Sequence, residues 1–137
     1  RHAEQIITVG ISSKFRLLVV GSTAYVFYHD AGQDNICVRT LTLSSPHSVW
    51  SAEAVLVACE GGAFEAYTDG VSITLAWDGS TRAGGGTVMV ERLSAALAVT
   101  LGPTACSYPS AGTITCCHKP GGSTWVKAAM MAESQTT

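Results

Sequence analysis

Residues 21–41, GSTAYVFYHDAGQDNICVRTL, decide the fold of this chain. The aromatic and β-branched run Ala24–His29 is followed by the polar residues Asp30–Asn35 and by a second alternating run, Ile36–Leu43. Strands favour aromatic and β-branched residues, and clusters of Asp, Asn and Gly mark the turns between strands. The stretch therefore predicts an antiparallel β-hairpin.

The hairpin pattern returns twice along the chain. Asp69–Leu93 repeats it, and a weaker copy covers Ser110–Ala128. Repeat units near residues 12–60, 61–103 and 104–131 then fill one domain spanning 1–137. A unit of 40–50 residues with about four strands has the size of a propeller blade, so we predict an antiparallel meander of propeller-blade-like hairpins, about two and a half blades in all. An all-β sandwich or jelly roll is the alternative.

Three shorter segments carry separate predictions. Ile6–Val9 alternates in the manner of a short strand, and Gly102-Pro103 is expected to end the strand Leu97–Leu101. The Ala- and Met-containing stretch Trp125–Ser134 is compatible with either a strand or a helix, because both residue types favour helices.

The composition points to a protein that buries its surface against other subunits. The 137 residues are 47% hydrophobic and only 13% charged, with a formal net charge of −2. Soluble domains usually carry about 25% charged residues and rely on them to stay dispersed. We therefore expect a homo-oligomer or contacts with other subunits; a polar surface rich in Ser, Thr and Gly is the alternative. Without clustered Lys and Arg, we expect no nucleic-acid partner.

Neither a membrane span nor a disulfide framework is predicted. No apolar run reaches the ~18 residues that a transmembrane helix needs. The five cysteines have irregular spacing, which favours small buried side chains over a set of bridges, although a Cys106–Cys116 bridge is possible. The cysteines are Cys37, Cys59, Cys106, Cys116 and Cys117.

Part of the chain follows the order of strand, hairpin, Arg-Thr pair, Trp-Ser pair and strand. The residues concerned are Tyr25–Asp30, Val38–Thr40, Trp50-Ser51 and Val55-Leu56, with Ile73–Asp78 and Val88–Leu93 in the second unit. In this order they resemble blades of the sialidase-like (BNR-type) propeller family. The resemblance implies a β-propeller and places Arg39 where a blade arginine would bind a substrate carboxylate. The Ser-x-Asp-x-Gly-x-Thr-Trp loop of that family is absent, because residues 78–81 have a different order.

Known catalytic and metal-binding patterns are missing from the sequence. The carboxylates mostly lie beside Gly in turns, where Asp is common for conformational reasons. Asp30–Asn35 has alternating oxygen ligands but lacks the distal Glu of a calcium loop, so a turn is the simpler interpretation. We predict no catalytic residue, metal or cofactor, and no enzyme; a fragment of a sialidase-like glycosidase is the enzymatic alternative.

Aromatic residues beside turns suggest a glycan site. A Trp or Tyr ring can stack on the apolar face of a sugar while polar neighbours bind its hydroxyls. Five residues at equivalent repeat positions fit this description: Tyr28, His29, Asp30, Trp77 and Asp78. The competing interpretation is that these rings pack between sheets.

Together these patterns predict a non-enzymatic structural or binding module of a larger assembly. The low charge and the β-rich composition favour a viral or phage particle protein, such as a decoration, tail or fibre protein, with possible glycan binding. An extracellular lectin-like oligomer is the alternative. The expected location is accordingly the virion or the extracellular space.

Overall fold

The computed structural model describes residues 11–60, 63–79, 86–108, 113–117 and 127–131, and the side chains of 15–60, 63–79 and 88–105. Every regular element in these ranges is a β-strand. The ten strands of these described ranges form two four-stranded antiparallel sheets and one hairpin. The all-β prediction is therefore confirmed. The described residues contain no helix long and apolar enough to cross a membrane.

The first sheet is a meander with the strand order of the sequence. Its strands are β1 (Ile11–Val20), β2 (Thr23–Asp30), β3 (Asn35–Thr42) and β4 (Ala54–Ala58). The predicted hairpin is present, with Asp30 paired to Asn35 across its turn. The Asp30 carboxylate accepts the backbone N–H of Gly32 at 2.8 Å, and Asp34 adopts a left-handed φ of 53°. Asp and Asn residues thus close the turn through local hydrogen bonds and unusual backbone angles, as predicted.

The second sheet repeats this topology. Its strands are β5 (Phe64–Thr68), β6 (Ile73–Asp78), β7 (Gly86–Leu93) and β8 (Val99–Tyr108), again in sequence order. In the turn between β5 and β6, the Asp69 carboxylate accepts the backbone N–H groups of Val71 at 2.9 Å and Ser72 at 2.7 Å. This Asx-type turn supplies the reversal that the Asp69-Gly70 pair predicts.

One predicted strand ending is wrong. Gly102-Pro103 does not terminate a strand: β8 runs through both residues to Tyr108. The strand begins at Val99, after the turn in which the Leu97 N–H donates to the Ser94 carbonyl at 2.9 Å. Because β8 is an edge strand, the missing N–H of Pro103 costs no ladder hydrogen bond that a central strand would need. The pairing of β7 with β8 shifts register on both sides of Arg92, which accommodates Gly102-Pro103 within the strand.

The third repeat contributes a hairpin of β9 (Thr113–Cys117) and β10 (Lys127–Met131). Residues 127–131 are therefore strand, and the helical alternative for that stretch is wrong there. Each residue of β10 pairs with a residue of β9, so pairing between the strands outweighs the helix preference of Ala and Met. The predicted strand Ile6–Val9 and the cysteine side chains from Cys106 onward lie outside the residues described.

The main core lies between the two four-stranded sheets. It contains the fully buried Phe27 and Ile36 from the first sheet and Phe64 and Leu75 from the second, with Trp77 almost fully buried beside them. Residues two apart on each strand share this face, because side chains alternate along a strand. We call the face of the first sheet that meets the second sheet its inner face.

The two four-stranded sheets adjoin through their first strands, because β1 lies beside β5. The third hairpin contacts the second sheet, because β9 lies against β5 and β6. The Arg16 guanidinium on β1 forms a two-pronged ion pair with the Glu65 carboxylate on β5, with Nη2 to Oε2 at 2.8 Å. This pair links two sheets through a bidentate geometry, and it raises the pKa of Arg16.

Glu91 provides a prediction about stability and pH. This carboxyl lies on β7, paired with Leu75, and is 4% exposed; burial raises its pKa. A raised pKa means that the folded chain prefers the protonated acid. Stability is therefore highest below the unfolded pKa of about 4.3 and is lost as the pH rises from there through the raised pKa of the folded chain. Glu91→Gln should therefore be more stable than the parent at pH 7, with the advantage disappearing under acidic conditions. Urea unfolding across this pH range measures the difference.

Glu65→Gln is the matched control for that prediction. Its carboxylate is already paired with Arg16, so removing its charge should not stabilise the chain. Equal stability gains in both variants, or a gain for Glu91→Gln that does not depend on pH, would contradict the assignment of a desolvated carboxyl at position 91.

Candidate functional site: the outer face of the first sheet

The face of the first sheet that points away from the second is also apolar. Cross-strand pairing defines this outer face, because directly paired residues point to the same side. One row joins Phe15, Tyr28, Cys37 and Val55 across all four strands. The two rows beside it are Leu17–Val26–Arg39 and Val19–Ala24–Leu41.

The two edges of this face are open to solvent. Along β1, Phe15 is 56% exposed, Leu17 59% and Val19 48%; on β4, Val55 is 54% exposed. An antiparallel sheet with one wet face normally alternates apolar and polar residues along each strand. Here β2 is buried on both sides from Ala24 to His29, and the outer rows continue as exposed apolar side chains. The outer face therefore has the composition of a buried surface.

The centre of the outer face carries a small buried cluster. Val26, Tyr28 and Cys37 form it, and the half-buried Trp50 packs against them. Trp50 lies in the loop between β3 and β4, which is tied to β3: the Ser51 N–H donates to the Thr40 carbonyl at 2.8 Å. The loop thus covers part of the face beside β3 and leaves the β1 side open.

Polar groups hold this loop in place. The Tyr28 hydroxyl donates to the Glu53 carboxylate, and the Arg39 Nε donates to the same hydroxyl at 3.4 Å. The Arg39 Nη1 also donates to the Ser51 carbonyl at 3.3 Å. Burial, followed by the hydrogen bond to Glu53, raises the pKa of Tyr28. Arg39, the arginine of the three described rows, therefore makes hydrogen bonds within the chain.

Asp30, Cys37 and Glu53 are the described residues that come closest to a metal site. Each offers one ligand atom, and the three atoms lie within 4.8 Å of one another. However, Glu53 already accepts a hydrogen bond from Tyr28, and a structural zinc site uses four protein ligands. We interpret the three residues as part of the hydrogen-bonded cluster that anchors the loop.

Cys37 is expected to be chemically inert in the folded chain. Its thiol is fully buried, and desolvation together with nearby carboxylates raises its pKa to about 11. Because the thiolate is the nucleophile, only about one thiol in a thousand is reactive at pH 8. Iodoacetamide should label Cys37 far more slowly in native protein than in urea, as mapped by mass spectrometry. Fast native labelling at Cys37 would show that the outer-face cluster opens.

The structure separates the five residues of the predicted glycan site. Tyr28 is fully buried on the outer face, whereas Trp77 is 5% exposed in the core between the sheets, where it is paired with Phe64. His29 is 4% exposed, and its Nε2 lies 2.8 Å from the Cys59 carbonyl. The rings of Tyr28 and Trp77 thus both pack against other side chains.

Asp30 and Asp78 of the same predicted site occupy strand ends. Both are half-buried: Asp30 closes the β2–β3 turn, and the Asp78 N–H donates to the Ala63 carbonyl at 2.9 Å. Glycan binding by these residues stays a prediction. A sugar would have to reach Tyr28 or Trp77 through groups that now cover them.

The open part of the outer face was not singled out from the sequence. Its signal is the spacing of Phe15, Leu17 and Val19 at every second position, in a strand whose intervening residues Arg16 and Leu18 face inward. Alternation reveals two faces, but it does not reveal which one is covered.

Comparison with protein-family models, with curated proteins and with solved structures finds no match for this chain.

Proposed function

We propose that this chain is a non-enzymatic structural module that packs into a larger assembly through the outer face of its first sheet. One observation carries the proposal: Phe15, Leu17, Val19 and Val55 are about half exposed on a sheet face whose centre is buried. Phe15, Leu17 and Val19 form an exposed apolar row along β1, and grouped exposed apolar side chains of this kind are typical of interaction surfaces. The low charged fraction of 13% is in keeping with a chain that hides surface against neighbours.

The finer architecture that we propose is a row of blade-like meanders. Two features support it: each four-stranded sheet follows sequence order, and the first strand of one sheet, β1, adjoins the first strand of the other, β5. Propeller blades are four-stranded sheets arranged around a common axis. This arrangement also agrees with the resemblance to sialidase-like blades. A two-sheet sandwich is the alternative, and in both arrangements the outer face of the first sheet needs a cover.

The biological setting that we propose is a viral or phage particle, with an extracellular oligomer as the alternative. The support is compositional: few charges, many small and β-branched residues, and repeated antiparallel hairpins. Repetitive β-modules with low charge suit a role in which stability comes from contacts between subunits. A glycan ligand is compatible with this setting but is not needed for it.

Binding of a hydrophobic dye tests whether the outer face is an apolar interaction surface. At low protein concentration, the parent chain should bind 1-anilinonaphthalene-8-sulfonate at the outer face, and Leu17→Lys should bind much less while keeping the same circular dichroism spectrum. Val71→Lys is the control, because Val71 is 77% exposed on the turn between β5 and β6, away from this face. A parent chain that binds no dye and does not associate would contradict the proposal.

An assay of hydrolase activity tests the proposal that this chain is not an enzyme. We expect no turnover of a fluorogenic sialoside, because Arg39 is bonded to Tyr28 and Ser51 instead of facing a cleft. Turnover that disappears in Arg39→Ala would contradict the proposal and favour the glycosidase alternative. Turnover that survives this substitution would point to a contaminating enzyme.

A further inference from the structure

We infer that Glu91 is a pH-sensitive latch on the edge strand β8: β8 stays paired with β7 while this carboxyl is protonated, and it opens locally from β7 once the carboxyl has ionised. The latch lies in the second sheet and does not depend on the proposed role of the outer face. Three features of the second sheet support it: the burial of Glu91, the lack of a compensating cation among the described residues, and the way in which β8 is attached.

Glu91 lies in the core, on the face of the second sheet that meets the first. It is paired with the fully buried Leu75 of β6, and the residues two positions away on β7 are Met89 and the buried Leu93. Only 4% of Glu91 is exposed, and burial raises its pKa. An ionised carboxylate in such surroundings has lost its hydration, so ionisation favours any arrangement that brings the carboxylate to water.

The other titratable or charged side chains that face this core are already bonded to other groups. They are Arg16 with Glu65, Tyr25 with the Ala95 carbonyl, His29 with the Cys59 carbonyl, and Cys59 with the Ala63 and Asp78 carbonyls. The described positions of β5 to β8 on this face add no further charged side chain. Among the described residues, no free cation therefore compensates an ionised Glu91, and hydration is the way to stabilise its charge.

The strand β8 is loosely built where it passes Glu91. Val90 pairs with Thr104 and Arg92 with Leu101, so Gly102 and Pro103 lie opposite Glu91 without direct pairing. Residues 102–105 are all exposed, so this part of β8 buries little of its own surface. A Cβ at position 102 would lie 3.2 Å from the Glu91 Cα, so β8 approaches Glu91 closely through a residue that has no side chain. Outward movement of this segment admits water to Glu91 while disturbing few buried side chains.

The turn before β8 confines the movement to the strand. The Tyr25 hydroxyl of the first sheet donates to the Ala95 carbonyl in this turn at 2.6 Å, and Leu97 packs against the main core. The turn thus stays attached while β8 moves. An open β8 leaves backbone groups of β7 without their ladder partners, which keeps the open form a minor population. Hydrogen exchange detects local openings of this kind.

Hydrogen exchange followed by mass spectrometry tests the latch in the parent chain. Protection of the amides in residues 99–104, corrected with an unstructured peptide of the same sequence at each pH, should fall between about pH 4 and pH 7. The fall should be about tenfold for each unit by which the pKa of Glu91 is higher in the closed form than in the open form. Protection of the β2–β3 hairpin should change much less, because that hairpin stays closed.

Variants at position 91 test whether this carboxyl is the titrating group. Glu91→Gln should keep residues 99–104 protected across the whole pH range. Glu91→Met removes the same titration with an apolar side chain of similar length, so it answers the question even if a buried amide is poorly tolerated. Glu60→Gln is the matched control: Glu60 is exposed on the connection between β4 and β5, so this variant should keep the pH dependence of the parent.

Three results would overturn the latch. The first is protection of β8 that does not change with pH in the parent chain. The second is a pH dependence that survives in both Glu91 variants, because another group would then be titrating. The third is an equal fall in the β2–β3 hairpin, because the whole domain would then be opening. None of these results bears on the outer face, and a chain that binds no hydrophobic dye would leave the latch unaffected.

Discussion

Replacing Phe27 with Ala is expected to destabilise the chain by about 3–5 kcal/mol, the range for removing a fully buried aromatic ring. Phe27 is 0% exposed on the inner face, and its ring stacks on Tyr25 with centroids 6.4 Å apart. Folded domains are stable by only about 5–15 kcal/mol, so this single change should remove much of the total. Urea unfolding followed by circular dichroism measures the loss.

Phe15→Ala is the matched control, since it removes the same ring from the other face of the same sheet. Phe15 is 56% exposed, so in dilute protein the free energy of unfolding should change by less than about 0.5 kcal/mol. At higher concentrations Phe15→Ala should instead weaken association. Similar losses for the two variants in dilute protein would mean that the inner and outer faces have been assigned wrongly.

Gly102→Ala is expected to cost about 2–4 kcal/mol, combining backbone strain with a steric clash. Gly102 has φ of +91°, in the region that residues with a side chain rarely adopt. A Cβ at this position would lie 2.8 Å from the Val90 carbonyl oxygen and 3.2 Å from the Glu91 Cα. Backbone atoms cannot rotate away, so β8 would have to shift from β7. Thermal and urea unfolding would both report the loss.

Gly70→Ala separates the two contributions. Gly70 has nearly the same φ, +90°, but a Cβ there would meet no atom within 4 Å. Its substitution should show the strain alone, about 1 kcal/mol. If Gly70→Ala cost as much as Gly102→Ala, close packing between β7 and β8 would not be the reason that position 102 is glycine.

Most strands could be predicted because their signals are local. Ala24–His29 and Ile36–Leu43 are adjacent in sequence, are rich in strand-forming residues and enclose a turn of Asp, Gly and Asn, so the hairpin needs no distant partner. The prediction failed at Gly102-Pro103, where the outcome depends on whether the strand is at an edge or in the centre of a sheet. That position is set by pairing between β7 and β8 and is invisible in the residues themselves.

The candidate site could be predicted only in part. Apolar residues on both sides of β2 indicated a sheet enclosed by other surfaces, and the low charge indicated association. The predicted glycan site grouped the segment Tyr28–Asp30 with Trp77-Asp78, because His29 and Asp30 align with Trp77 and Asp78 in the repeat. In space they occupy different surfaces, because Tyr28 points outward from the first sheet and Trp77 inward from the second.

The β-hairpins of this protein could be predicted from its residues alone, because turn chemistry and strand preference act over a few neighbouring positions. The face that each strand presents to the core could not, since it depends on cross-strand register and on how two sheets stack. Burial of Phe27 and exposure of Leu17, ten residues apart, follow from that stacking. The proposed role in assembly depends on it as well.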